Sequence, residues 1–162
     1  LKLCPFAPAP ALNGSIRYVM SAAETPEALL EDLAAESQRL VASPPEELET
    51  TLLIHPQVLQ DFHDFNDFLE VADEVLRVLG LEGELQIASF HPQYRFVGTE
   101  ADDIGNATNR SPYPTLHLLR EESIARAVEA FGDTSSISAD NIRTLEALGH
   151  EGLEAVRRRD PR

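Results

Sequence analysis

Asp102, Asp103, Asn106, Asn109 and Arg110 crowd into one short stretch, ADDIGNATNR. Adjacent carboxylates can bind a hard cation, exchange protons or hold a guanidinium in place. The two asparagines add amides that both donate and accept, and Arg110 offers a planar fork suited to a carboxylate or phosphate. His91 and Arg95 stand just upstream in FHPQYR, where a histidine at a strand end can serve as general base, metal ligand or pH-sensitive hinge. On residue type and spacing, His91 and Asp103 are candidate catalytic groups. Arg110, Asn106, Asn109, Asp102, Arg95 and Arg17 are candidate contacts to a small anionic or polar molecule. A structural alternative stands beside this reading. Asp and Asn are also the residues of turns, where their side chains bond nearby backbone, and Arg110 would then bridge Asp102 or Asp103.

Cys4, in CPFA, resembles the Cys-Pro opening of thioredoxin-like active sites and is a third catalytic candidate, with an inert buried thiol as the alternative. His55, in IHP, parallels His91. Two strands ending in His-Pro could bring both imidazoles to one sheet edge near Asp103, as the start of a site for metal-assisted hydrolysis. No tight H-x-x-x-H spacing supports that, so no metal ligand is assigned. His63, Asp64 and Asp67 lie beside an apolar helical stripe and read as its solvated face. Walker, dinucleotide-binding and G-x-S-x-G signatures are absent, and the cofactor is left unknown.

The 162 residues carry 13 Lys and Arg against 28 Asp and Glu, a formal net charge of −15. That balance repels phosphate backbones and anionic lipid, so neither nucleic acid nor membrane is expected as a partner, while a protein partner stays open. Arg157, Arg158 and Arg159 read as the positive last turn of a helix. One cysteine permits no internal disulfide, which fits a reducing, cytoplasmic setting. No apolar run approaches the roughly 20 residues of a membrane span.

These groups must be positioned by the elements around them. Residues 1–14 read as an extended lead-in, 15–132 as an α/β core and 133–162 as a helical extension, together one domain. SIRYVMSA reads as a strand. ETPEALLEDLAAESQRLVAS reads as a helix capped by Thr25, with Leu29, Leu33 and Leu40 on one face. TTLLIHP is a buried strand, and Val58 to Leu79 a helix with a continuous apolar stripe stopped by Gly80. ELQIASFHP is a third strand, TLHLLR a fourth strand or a helix start, and ESIARAVEAFG a helix. The closing segment reads as one broken helix or two, interrupted near Gly149 and Gly152. The order strand-helix-strand-helix-strand-strand-helix predicts an α/β layered domain with a thioredoxin-like or ferredoxin-like core and extra C-terminal helices. Residues 91–115 form the long connection, and a polar segment of that length with apolar anchors predicts an ordered, functional loop roofing a pocket.

At LCPFA, ETTLLIHP, DFNDFL, LQIASFHPQYRFVGT, NATNRSPYPTLHLLRE and NIRTLEALGHEG the sequence resembles domain-of-unknown-function family 1415 over nearly its whole length. The resemblance implies a cytoplasmic single-domain protein and carries no activity with it. What remains from the residues is a small-molecule enzyme or binding protein, or a non-catalytic interaction module whose loop is structural.

Overall fold

The lead-in holds a short helix, α1 (Pro8–Asn13), where an extended segment is expected. Pro8 sits where a helix needs no amide donor, and Gly14 closes the turn at φ 69°. The computed structural model describes residues 3, 4, 6–132 and 136–158, so Arg159 lies outside the described residues.

Four strands form one mixed sheet. β1 (Ile16–Met20) leads through α2 (Pro26–Ala42) to β2 (Thr50–Ile54), and the two strands pair in parallel. β2 leads through α3 (Phe62–Val78) to β3 (Leu85–Phe90), but these two do not pair. β4 (Thr115–Arg120) inserts between them and runs antiparallel to both, giving the order β1-β2-β4-β3. The run from β2 to β3 is therefore a split β-α-β unit, the device shared by ferredoxin-like folds. Right-handed crossovers that advance in one direction put α2 and α3 on the same sheet face, and the two helices do pack together.

That face holds the core. Leu29, Leu33 and Leu40 from α2 and Phe65, Phe68, Ala72 and Leu76 from α3 close over Leu53, Leu85, Leu116 and Leu118. Alternation along the strands dictates which residues take part. Thr51, Leu53 and His55 are all fully buried on β2 and its end, whereas Tyr18 and Met20 point from β1 to the opposite face, 67% and 61% exposed. Thr25 caps α2 as expected, its hydroxyl accepting from the Ala28 amide. Polar ties bind the layers. Arg17 forks onto Glu36 of α2 at 2.7 and 3.0 Å. Arg120 donates to the carbonyls of Leu40, Ser43 and Leu48 at the end of α2 and in the turn after it.

α3 begins later than its apolar stripe. Asp61 caps it by accepting from the His63 and Asp64 amides, and Val58 belongs to the turn before. In that turn Leu59 adopts φ 57°, the left-handed region that costs a branched side chain about 1 kcal/mol or more. α4 (Glu121–Phe131) and α5 (Ile137–Arg157) complete the chain. The expected interruption falls at Gly149, whose φ of 67° and ψ of 171° kink α5, while Gly152 stays helical. Arg157 ends α5 and Arg158 follows it. His63, Asp64 and Asp67 are exposed, as a solvated face requires.

Candidate functional site

The 91–115 loop is ordered around a 3₁₀ helix, Ile104–Asn109, whose tighter turn a 3.6-residue period does not reveal. Asp103 caps it, its carboxylate accepting from the Gly105 amide at 2.8 Å. A side chain at Gly105 would meet that carboxylate at 3.0 Å, so the glycine leaves room for the Asp103 cap, while Ile142 of α5 lies at ordinary contact distance, 3.6 Å.

Asn106 is the hub. Fully buried, it accepts from the Phe96 amide at 3.0 Å and the Thr99 hydroxyl at 2.9 Å, and donates to the Glu100 carbonyl at 2.8 Å. Asn109 donates its amide to Ser89 O at 3.2 Å, and its carbonyl accepts from the His91 amide at 3.1 Å. Both bonds lie at the C-terminal end of the outer edge of β3, so the loop covers that end of the edge. Arg110 is half-buried. Its Nε donates to Tyr94 O at 3.1 Å and its Nη2 to Ala101 O at 2.6 Å. Among the described residues no carboxylate pairs with it, so the expected bridge to Asp102 or Asp103 is replaced by backbone carbonyls. Burial, and then the nearby Arg157, lower its pKa from the ordinary arginine value.

His91 is fully buried between Phe62 and Phe65, with ring centroids 5.4 and 5.1 Å away. Nδ1 accepts from the Gln93 amide at 3.1 Å. Nε2 lies 3.2 Å from Leu59 O, and since a carbonyl only accepts, Nε2 carries the proton. Both nitrogens are thus engaged, and burial holds the pKa below the ordinary histidine value. His55 stacks on the other neighbour of this cluster, 5.7 Å from Phe65. Its Nδ1 donates to Val58 O at 3.1 Å, which leaves Nε2 a buried acceptor without a partner among the described residues. Burial drives its pKa to about 4. The two His-Pro strand ends do converge, and together the imidazoles hold the Val58 and Leu59 carbonyls of the left-handed turn.

The other candidates are dispersed. Asp102 is exposed, and Arg95 is exposed with its Nε on Thr99 O at 2.6 Å. Arg17 sits across the sheet on Glu36. Cys4 is an exposed free thiol in the N-terminal segment, ahead of α1 rather than at its N-terminus. Among the described residues no cluster of three or more His, Cys, Asp or Glu is placed to hold a metal.

Sequence reasoning passed over His117. Its Nε2 lies 2.7 Å from the Thr50 hydroxyl, which itself donates to Leu118 O, so His117 supplies the proton. Burial lowers its pKa to about 4. Position was the available signal, since a histidine in the middle of an apolar strand must be desolvated. Two surface grooves lie away from the loop. One of about 360 Å³ is lined by Glu70, Asp73, Glu74, Arg77, Glu82 and Glu121, among others. The other, of about 230 Å³, adjoins Arg120 and Glu122.

Fold and loop together define an α/β domain with a split β-α-β unit and a self-bonded cap over the end of one sheet edge. The model of the family described as protein of unknown function, DUF1415, matches residues 1–155, and the chain belongs to that family. No curated protein and no solved structure matches it.

Proposed function

We propose that the chain is a non-catalytic protein-interaction module in which residues 91–115 are structural. The observation that carries this reading is the loop's hydrogen bonding. Asn106, Asn109 and Arg110 spend their polar atoms mainly on the chain's own backbone, and His91 has no nitrogen to spare. A catalytic or binding constellation keeps some groups free for its ligand. The acidic lining of the larger groove and the net charge of −15 favour protein partners with complementary basic surface. A cytoplasmic location belongs to the same reading and rests on the lone, unpaired cysteine.

One observation favours a second reading, a small anion held at Arg110. That guanidinium is half-buried beside another cation, Arg157, with no described carboxylate between them. One screen separates the two. A thermal-shift panel of small carboxylates, phosphate esters and divalent cations is expected to leave the wild-type melting temperature unmoved. A compound that raises it for wild type and not for Arg110→Ala would overturn the interaction-module reading.

A further inference from the structure

The two edges of the sheet are finished differently. On β3 part of the outward edge is taken: Leu85 N–H by Leu81 O, Ser89 O by Asn109 and, just past the strand, His91 N–H by Asn109 O, which leaves Ile87 as the bare outward residue between them. Among the described residues β1 has no such cover. In a parallel pair the N–H and C=O of one residue face the same neighbour, and those of the next residue face away. Ser21 N–H reaches Ile54 O at 2.7 Å and Ser15 O accepts from Thr50, so the odd-numbered residues of β1 bond to β2. Ile16, Tyr18 and Met20 therefore direct their N–H and C=O outward, and no backbone group among the described residues meets them. Native edges are ordinarily blunted by Pro, a bulge, an exposed Lys or a covering segment. β1 has none within its five residues.

We propose that two copies of this chain pair through β1, antiparallel about a two-fold axis at Tyr18, so that two four-stranded sheets become one. This rests on the interaction-module reading and adds a second copy as a partner at the β1 edge, opposite the β3 edge whose acidic groove favours basic partners. The strand is its own complement. Tyr18 is central in Ile16–Met20, so the axis sets Tyr18 against Tyr18 of the second copy and Ile16 against its Met20. The outward N–H and C=O groups of all three residues then meet one another. On the face away from α2 and α3, exposed Tyr18 then stands opposite its own copy and exposed Met20 opposite Ile16, cross-strand pairs that stabilise sheets.

Charge selects the same place. Self-repulsion from −15 opposes association over most of the surface, but the only charge on β1 is Arg17, already closed by Glu36 on the other face.

The test is sedimentation equilibrium of the full chain up to about 100 μM, a range that detects micromolar association. Wild type is expected at twice the monomer mass. Tyr18→Pro removes an N–H that only the second copy would use, so it is expected to keep the native circular dichroism spectrum and sediment as a monomer. Met20→Lys, at an exposed position, is expected to weaken association about tenfold or more and decides the matter if the proline variant unfolds. A monomeric wild type, or a dimer unmoved by Met20→Lys, overturns the proposal. A monomeric wild type leaves the interaction-module reading standing, because the ligand screen judges that reading separately.

Discussion

Acidification from pH 7 to pH 4 is expected to remove about 6 kcal/mol of folding stability, roughly 3 from each of His55 and His117. Both are neutral in the fold with pKa values near 4, against about 6.5 in the unfolded chain. Between those values the unfolded state binds more protons, so stability is complete above pH 6.5 and declines as the pH falls toward 4. His91 shifts in the same direction and steepens the loss. A domain of this size holds only about 5–15 kcal/mol, so the chain should unfold in mild acid. The competing effect has the opposite sign. Neutralising part of a −15 surface relieves self-repulsion and would by itself raise stability. Urea denaturation at a series of pH values decides which wins. His117→Gln should flatten the histidine-driven part of the slope by about half, and a variant whose stability falls with pH in parallel with wild type would refute the claim that this imidazole is desolvated.

The second large effect separates two residues that the sequence treats alike. Asn106→Ala is expected to destabilise the protein by about 1–3 kcal/mol, because it orphans the Phe96 amide and takes one partner each from the Thr99 hydroxyl and the Glu100 carbonyl, which keep Phe96 O and the Asp103 amide. Asp102→Ala, at an exposed side chain, should lie within about 0.5 kcal/mol of wild type. Comparing denaturation midpoints at constant slope reads the difference directly. Equal effects would show that the loop is not organised around Asn106.

Periodicity made most elements legible. Leu29, Leu33 and Leu40 announce α2, and the Phe65–Leu76 stripe announces α3, because a helix buries one face and the pattern is local. α1 was not legible, since prolines that break helices also begin them and Pro8 does the latter. Strand order was not legible either. Nothing local says that β4 enters between β2 and β3, a choice made by contacts distant in sequence. TLHLLR was ambiguous for the same reason: only pairing with β2 and β3 makes it a strand.

In the loop, residue types located an unusual segment but not its use. Asn106 and Arg110 are equally suited to a ligand's oxygen and to a backbone carbonyl. The carbonyls of Glu100, Tyr94 and Ala101 prevail because the 3₁₀ helix brings them within reach. The paired His-Pro ends did converge, yet their geometry serves the turn at Leu59 rather than a shared ligand.

A structural 91–115 loop must be a closed cap in the free protein. Native-state hydrogen exchange of the His91, Phe96 and Gly105 amides measures this, since their acceptors are Asn109 O, Asn106 Oδ1 and Asp103 Oδ1. The expected result is strong protection of all three without any added ligand. Exchange at the rate of exposed coil, with protection appearing only when a small molecule is added, would contradict the account and make the loop a binding lid.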